Sequence, residues 1–480
     1  MDSGRPTPRA HRGRSLVLLR RIGARVVLAV TFSVASVSGV RVATAQAVDG
    51  WPGFQGGPEH LGAATGTEVR PPLKLEGLWP SGASGEDRFS PPVVASGIAV
   101  AVSSTGVAAF DPSTGAARWS IARVGGSVFS PALDLGTGAV VYTEGSGGRT
   151  SAVVAVEAAT GQRMWAVPLG GPARSAPSIS GDQVVLGAGD QYLYDVDVTT
   201  RSLRWRVRTA GSVNAAPAVA DGTVFAISED AATGRARLYA IDLQTHRSVW
   251  AFSPPNVSIG VTAVSVASGT VFAGFGDQYV RAFDAATGRV KWAAPVRGDF
   301  SPSSSPAFAA RRSFGSGALF IADRLGGLYR FDAATGKRRW DYQFPDAVTF
   351  GSPLVWGGVV YLGIDDGTIG AVDGSTGRLT WQTRLRFGAV TALVPAGQRV
   401  LAVSLDRGSR IASFVHDPRG GLVDRASPST IDFTRSLTNF GAAFVVVALF
   451  LLGGLQLLVR RRRRELPGAG IAAESNGGMP

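Results

Sequence analysis

The chain has no cysteine among its 480 residues. This excludes disulfides, thiolate metal ligands, thiol catalysis and a lipid-modified N-terminal cysteine. Histidine is scarce as well. The four histidines are far apart in sequence, none makes a pair at metal-ligand spacing, and we expect them to be exposed or in turns: His11, His60, His246 and His416. The nucleophile elbow GxSxG, the phosphate loop GxxxxGK[ST] and a GxGxxG after a strand are also absent.

The net charge of +13 is concentrated at the two ends of the chain. Residues 1–47 contain eight arginines and one acidic residue, and residues 460–480 contain five arginines and two acidic residues. A nucleic-acid-binding domain would carry its basic residues on the folded body. The distribution therefore favours membrane-targeting flanks over a nucleic-acid-binding surface.

Both ends have the pattern of membrane segments. Residues 1–47 have an arginine-rich leader, an apolar run and small residues at Ala45 and Ala47, which predicts a signal peptide cleaved after Ala47. An uncleaved N-terminal anchor is the alternative. Residues 417–438 predict a stalk, 439–459 a transmembrane helix and 460–480 a basic cytoplasmic tail. The LPGAG at 466–470 follows the arginines, where it could not serve as a wall-sorting signal.

The dominant internal pattern is an acidic residue followed eight positions later by tryptophan. It occurs seven times, with the tryptophans 40 to 48 residues apart: Asp111/Trp119, Glu157/Trp165, Asp197/Trp205, Asp242/Trp250, Asp284/Trp292, Asp332/Trp340 and Asp373/Trp381. A constant local unit within a variable period indicates a repeat fold with loops of free length. Each unit contains four short runs of β-forming residues separated by turns, which predicts the blade of a β-propeller.

An eighth tryptophan, Trp79, lies 40 residues before Trp119 in an outer-strand sequence with no blade ahead of it. At the other end, 389–394, 399–404 and 410–416 predict three strands without a tryptophan strand. Joining the two ends leaves no exposed sheet edge. The sequence therefore predicts an all-β, eight-bladed propeller over 73–416, preceded by a lead-in segment at 48–72. Its N-terminal strand closes the last blade, and a transmembrane helix follows.

The constant spacing has a structural explanation. The acidic residue can cap the turn, a glycine four residues later can supply positive φ, and the tryptophan then lies on the outer strand, covering the gap between blades. Blades 3 and 4 lack this glycine, so we expect their turns to be less regular. The predicted docking residues are Trp79, Trp119, Trp165, Trp205, Trp250, Trp292, Trp340 and Trp381. Calcium binding by the turn acids is disfavoured, because no further carboxylates follow at ligand spacing.

The units AFDPSTGAARW (109–119), AFDAATGRVKW (282–292) and AVDGSTGRLTW (371–381) resemble the pyrroloquinoline-quinone (PQQ) enzyme-type, tryptophan-docking repeat. The resemblance implies a propeller of the superfamily that includes quinoprotein dehydrogenases, BamB-like scaffolds and ligand-sensing ectodomains. The dehydrogenase branch typically has an adjacent cysteine pair under PQQ and a Glu/Asn/Asp set for Ca²⁺. The cysteines are missing and the acidic set does not align. The resemblance therefore implies the non-enzymatic branch, with PQQ and Ca²⁺ only in the alternative.

The loops that enter the first strand of each blade should face the central channel. They contain the candidate binding residues Arg88, Phe89, Arg174, Asn214, Asp299 and Phe300. The competing interpretation is that phenylalanine recurs there only for packing. The residues would form a funnel that binds an envelope protein, a peptide or a small ligand.

Three functions stay open at this point. The first is a non-catalytic, membrane-anchored, extracytoplasmic scaffold or sensor, with no catalytic residue and no metal. The second is a PQQ-dependent dehydrogenase acting on an alcohol or sugar. The third is a sensor that signals through its tail, which is too short to hold a signalling domain and would need a separate partner.

Overall fold

The computed structural model describes residues 50–421, except 67, 80–87, 147, 256–259, 299, 301–303, 311–313, 316, 346, 350, 387 and 405–409. The predicted signal peptide, transmembrane helix, cytoplasmic tail and nearly all of the stalk lie outside these residues. Among the residues that are described, no helix is long and apolar enough to cross a membrane.

The lead-in segment and the strand after it contain four short elements, in chain order: β1 (Gly50–Trp51), a 3-10 helix (Phe54–Gly56), β2 (Ala63–Ala64) and β3 (Leu73–Trp79). The first four blades follow. Blade 1 is β4 (Val93–Ala95), β5 (Ile98–Val102), β6 (Gly106–Phe110) and β7 (Ala117–Ala122); blade 2 is β8 (Ala132–Asp134), β9 (Ala139–Ser146), β10 (Thr150–Glu157) and β11 (Arg163–Leu169); blade 3 is β12 (Ser178–Ser180), β13 (Gln183–Gly187), β14 (Tyr192–Asp197) and β15 (Ser202–Arg208); blade 4 is β16 (Ala218–Ala220), β17 (Thr223–Asp230), β18 (Arg235–Asp242) and β19 (Ser248–Phe252).

The second half continues in the same way. Blade 5 is β20 (Ser265–Ala267), β21 (Thr270–Phe275), β22 (Tyr279–Asp284) and β23 (Val290–Pro295); blade 6 is β24 (Ala307–Ala309), β25 (Ala318–Ala322), β26 (Gly327–Asp332) and β27 (Arg338–Gln343); blade 7 is β28 (Leu354–Trp356), β29 (Val359–Gly363), β30 (Thr368–Asp373) and β31 (Leu379–Arg384); the last strands are β32 (Val390–Ala396), β33 (Arg399–Ser404) and β34 (Ile411–His416).

The described residues form eight sheets arranged in a closed circle. The innermost strands of successive blades contact one another from β4 to β28, and β32 contacts β29 of blade 7 on one side and β4 on the other. The eighth sheet combines the two ends of the propeller, since β3 pairs antiparallel with β34, with Leu73 opposite His416 and Trp79 opposite Ile411. The predicted all-β, eight-bladed propeller and its closure by the N-terminal strand are confirmed. The innermost strands of blades 1 to 7 are only three residues long.

The hydrophobic core lies between neighbouring blades. One cluster combines Phe272 and Trp292 of blade 5 with Leu319 and Phe331 of blade 6, and all four side chains are buried. Each blade has apolar side chains on both faces of its sheet, because each face meets a neighbour. We call the end of the ring where the innermost strands begin the upper face, and the end where they finish the lower face.

Tryptophan contacts connect consecutive blades. The Trp292 indole lies on Gly336 of blade 6, and its Nε1–H donates to the carbonyl of Ala333 at 3.0 Å. The same contact with a turn glycine recurs at four other seams: Trp79 on Gly115, Trp119 on Gly161, Trp250 on Gly288 and Trp340 on Gly377. Trp79 therefore connects the shared last blade to blade 1.

In blades 1 to 7 the turn between the third and fourth strands is capped by its acidic residue. In blade 5, Asp284 Oδ1 accepts from Thr287 N and Oγ1, and Gly288 N donates to the Asp284 carbonyl. The bond from the Thr287 hydroxyl is the main reason that the pKa of Asp284 is below its usual value. The expectation of irregular turns in blades 3 and 4 is wrong. Arg201 and His246 take the place of the glycine with φ of 57° and 60°, because the capping bonds hold the turn in shape.

The lead-in segment runs around the inside of the ring. The middle residue of each three-residue innermost strand directs its N–H towards the channel. The lead-in carbonyls accept five of these bonds at 2.7–2.9 Å: Leu133 to Pro52, Val219 to Pro58, Val266 to Glu59, Phe308 to Leu61 and Val355 to Gly62. β1 pairs with β4 and β2 pairs with β28. We call residues 50–64 the belt. A buried N–H without a partner costs about 1–3 kcal/mol, so the belt removes a large penalty.

The expectation that all the histidines are exposed or in turns is wrong for His60. Its side chain in the belt is fully buried. Nδ1 lies 2.9 Å from the carbonyl of Val264, so it must carry the hydrogen, and Nε2 lies 3.1 Å from Ser178 Oγ. Burial lowers the pKa of His60 to about 4, although the bond to Val264 opposes this shift. The ring is therefore neutral at pH 7.

We predict that Gly336→Ala destabilises the propeller more than Gly222→Ala. Both glycines have positive φ, of 70° and 73°. A Cβ at Gly336 would lie 2.5 Å from Cδ2 of Trp292, whereas a Cβ at Gly222 would meet nothing within 4 Å. Both variants place alanine at positive φ, which destabilises the native backbone to a similar extent. Only Gly336→Ala also displaces an indole, which lowers the free energy of unfolding by a further amount of about 1–3 kcal/mol. Thermal unfolding of the two variants measures the difference, and equal midpoints would contradict the docking interpretation.

The propeller should lose stability as the pH falls from 6.5 towards 4. The unfolded chain binds a proton on His60 below about pH 6.5, whereas the native ring resists it down to about pH 4, so acidification favours unfolding by up to about 3 kcal/mol. Unfolding midpoints across this range should fall less steeply for His60→Gln than for the parent. His416→Gln, at an exposed position, is the control. Parallel curves for His60→Gln and the parent would show that His60 is not responsible.

Candidate functional site

A cavity of about 670 Å³ opens on the upper face, at the centre of the ring. We call it the funnel. It is lined by loops that enter the innermost strands, by one turn of blade 1, by the start of β32 and by the belt: Trp51, Gly53, Phe54, Gln55, 88–92, Ser104, 127–130, Ser175, Ala176, Asn214, Ala216, Ser352 and 391–394. Its place agrees with the expectation that the loops before the first strands face the channel.

Hydroxyl groups fix the loops that build the funnel wall. Ser90 Oγ accepts from Val102 N at 3.0 Å, and Ser175 Oγ accepts from Gly187 N at 2.8 Å. Thr262 Oγ1 makes the same bond with Gly274 N in blade 5. In blades 1, 3 and 5 a hydroxyl residue therefore ties the loop before the first strand to the second strand of the same blade. This gives the funnel a rigid wall on a repeated scaffold.

Three of the predicted binding residues lie in the funnel. Arg88 is exposed at the mouth, Phe89 is buried in the wall, and Asn214 is partly exposed on the side of blade 4. They come from blades 1 and 4 and are brought together only by closure of the ring.

The other three predicted residues do not line the cavity. Arg174 is exposed at the start of blade 3, and its backbone N–H donates to the Gly187 carbonyl. Phe300 is fully buried in the core, where its ring lies against Gly274, so the packing interpretation holds for this residue. Asp299 lies outside the described residues.

Sequence reasoning missed the floor of the funnel. Trp51, Phe54 and Gln55 belong to the belt, whose inward turn around the 3-10 helix closes the channel from below. Gln55 has φ of 52°, and its Oε1 is buried without a partner among the described residues. The available signal was the composition of WPGFQGGPEHLG. Its prolines offer carbonyls but no N–H, and its glycines permit positive φ.

The funnel has weak charge and many hydroxyl groups. Arg88 is the single ionised side chain among its described lining residues, which also include six serines. Asn214 Nδ2 donates to Glu229 Oε2 at 3.4 Å, and Glu229 Oε1 accepts from Gly260 N at 2.9 Å, so this buried carboxylate is held behind the wall. Aromatic rings, hydroxyls and one guanidinium suit a peptide side chain or a small polar ligand.

No group of three His, Asp or Glu side chains within the described residues could hold a metal ion. The turn acids are engaged by their own turns. Hydrogen bonds from Thr200 N and Arg204 lower the pKa of Asp197 to about 2. These carboxylates therefore stabilise turns on the lower face, far from the funnel.

The sequence matches the profile of the family described as outer membrane protein assembly factor BamB over residues 103–212, 149–304 and 276–426. The serine/threonine-protein kinase AfsK of Streptomyces griseus is 29% identical over 231 residues, which are 43% of this chain and 28% of the kinase. The chain thus spans less than a third of that protein. BamB of Burkholderia pseudomallei is 26% identical over 273 residues, 55% of this chain and 67% of the relative.

Solved structures show the same fold. BamB from Moraxella catarrhalis superposes with a TM-score of 0.56 at 20% identity, covering 72% of this chain and 99% of its own. A europium-containing methanol dehydrogenase superposes with a TM-score of 0.62 at 14% identity, covering 76% and 98%. At these identities the likeness concerns the fold and not the activity.

The funnel does not fit PQQ with Ca²⁺. PQQ is a polycarboxylate, and Ca²⁺ takes about six to eight oxygen ligands, carboxylates among them. The described lining offers one guanidinium and no carboxylate. The belt also occupies the floor, with Trp51, Phe54 and Gln55 beneath the opening. The donor set is therefore unsuited to this cofactor.

Incubation of the protein with PQQ and Ca²⁺ should give no saturable quenching of tryptophan fluorescence and no turnover of alcohols or sugars with a dye acceptor. The reason is the missing carboxylate set of the funnel. An apo-quinoprotein reconstituted in the same buffers is the positive control. Saturable binding with turnover would establish the dehydrogenase alternative.

Proposed function

The chain belongs to the family described as outer membrane protein assembly factor BamB, and from this we propose that it is a non-catalytic binding scaffold or sensor, anchored in the cell membrane with its propeller outside the cytoplasm. The observation that carries the proposal is the funnel, a cavity of about 670 Å³ with an aromatic and hydroxyl-rich wall. Such a cavity recognises a ligand without supplying an acid, a base or a metal.

The proposed ligand is an envelope protein, a peptide or a small molecule that inserts into the funnel. Phe89 and Phe129 offer apolar surface, Asn214 offers an amide, and Arg88 can pair with an anionic group at the mouth. Aromatic and arginine side chains contribute most to binding when they lie in a well-packed centre surrounded by neutral contacts.

The proposed anchoring uses 439–459 as the transmembrane helix, 460–480 as the cytoplasmic tail and 1–47 as the signal peptide. Both ends of the described chain support one orientation. Gly50 pairs with Ala95, the last residue of β4, and His416 is the last residue of β34. Both positions are on the lower face. A membrane attached through either end would lie below the ring, and the funnel would open away from it.

Similarity to part of a protein named as a kinase supports a sensing role for the propeller. In a sensor of this design, the response would pass to a separate membrane or cytoplasmic partner.

The test is site-specific photo-crosslinking in intact envelopes. Because the sequence has no cysteine, an introduced cysteine gives a single position for a photo-reactive label on this protein. Ser127→Cys places a label in the funnel, and Ser375→Cys places one on an exposed lower-face turn. Adducts should form from the funnel position and not from the lower face. Arg88→Ala or Asn214→Ala should weaken capture by about five- to thirtyfold, as expected for central contacts worth 1–2 kcal/mol.

Arg149→Ala is the matched control, because Arg149 is exposed on the upper face outside the funnel. Equal adducts from both labelled positions would count against the funnel. The anchoring is tested in the same membranes, where the chain should resist extraction at alkaline pH and a variant ending at 438 should be released.

A further inference from the structure

The belt leaves one of the three-residue innermost strands without its hydrogen bond. Ile179, the middle residue of β12 in blade 3, is equivalent to Leu133 in blade 2 and Val219 in blade 4. Those two donate to Pro52 and Pro58, whereas Ile179 N has no such acceptor among the described residues. The reason is local: between Pro52 and Pro58 the belt turns inward through its 3-10 helix.

A second cavity, of about 500 Å³, lies at this gap on the lower face. The inward turn of the belt separates it from the funnel. Its wall is mainly apolar, with Pro52, Pro58, Leu133, Ile179 and Val198 among the lining residues. The cavity therefore combines buried apolar surface with a backbone donor, as a strand-addition site does.

The charge of this cavity is negative. Asp134 and Asp182 line it, and no lysine, arginine or histidine is among its described lining residues. The Asp182 side chain keeps 54% of its surface exposed although it pairs with Arg204. A cationic ligand is thus favoured over an anionic one.

We propose that the cavity between blades 2 and 3 binds an extended basic polypeptide segment. A backbone carbonyl of the segment accepts the Ile179 N–H, an apolar side chain fills the cavity, and a neighbouring lysine or arginine pairs with Asp182. The belt itself is the structural precedent, since it satisfies the equivalent N–H groups of blades 2, 4, 5, 6 and 7 with backbone carbonyls. The segment would complete the circle at the lower face.

The probe is a fluorescein-labelled, end-capped peptide of three Leu-Lys repeats, added to the full chain in detergent micelles and followed by anisotropy. It should bind at least about tenfold more tightly than a Leu-Glu or a Ser-Lys peptide of equal length. The Leu-Glu peptide lacks the positive charges and the Ser-Lys peptide lacks the apolar side chains, and we expect each loss to cost about 1.4 kcal/mol or more of binding free energy. Thr199→Trp places an indole at the mouth and should remove this preference. Gln244→Trp, at the equivalent exposed turn position of blade 4, should not.

Two further measurements separate the parts of the proposal. Asp182→Asn should weaken binding up to about fivefold at low salt, whereas Asp221→Asn, in the corresponding turn of blade 4, should leave it unchanged. Hydrogen exchange of the segment containing Ile179 should slow when the peptide is bound. The proposal fails if the Leu-Glu peptide binds as tightly as the Leu-Lys peptide, or if the Thr199→Trp and Gln244→Trp variants show the same preference between the peptides. It also fails if octylamine displaces the Leu-Lys peptide and bound peptide leaves hydrogen exchange at Ile179 unchanged.

Discussion

The ring depends on the contact between the tryptophan of one blade and the turn of the next. The indole can lie flat on the turn because a glycine there has no side chain, and its N–H reaches a carbonyl of the same turn, as Trp250 reaches Ala285 at 2.8 Å. This contact recurs at five of the described seams. Together with the pairing of β3 with β34, it closes the ring around the channel in which the funnel lies.

One seam shows what happens when the local rule is broken. His246 takes the position of the glycine in blade 4, and its ring lies beside Trp205, with the ring centroids 5.5 Å apart. Trp205 Nε1 is then buried without a partner among the described residues. The seam keeps its stacking and loses a hydrogen bond. The turn of blade 3 also lacks the glycine, with Arg201 in its place, so the repeat tolerates this change at two neighbouring seams.

The sequence predicts those parts of the fold that are formed by residues close together along the chain. The Asp-to-Trp spacing predicts the turn, the outer strand and the seam, and Trp79 predicts the closure. The belt could not be predicted in this way, because its bonds join residues far apart, such as His60 and Val264 at a separation of 204 residues. Phe89 and Phe300 occur in the same Phe-Ser-Pro context, yet only Phe89 lines the funnel. The difference is Gly274, which leaves room for the Phe300 ring in the core.

The sharing of the last blade between the two ends of the chain constrains the order of events during folding. Ser413 Oγ donates to the Glu76 carboxylate across a separation of 337 residues, so β3 is synthesised long before its partner strand. Until then, Leu73–Trp79 is an unpaired strand with an apolar face, open to incorrect pairing. The final blade can form only when nearly the whole propeller has been synthesised. Any chain truncated before β34 would thus leave the ring open, with β3 as an exposed, unpaired strand.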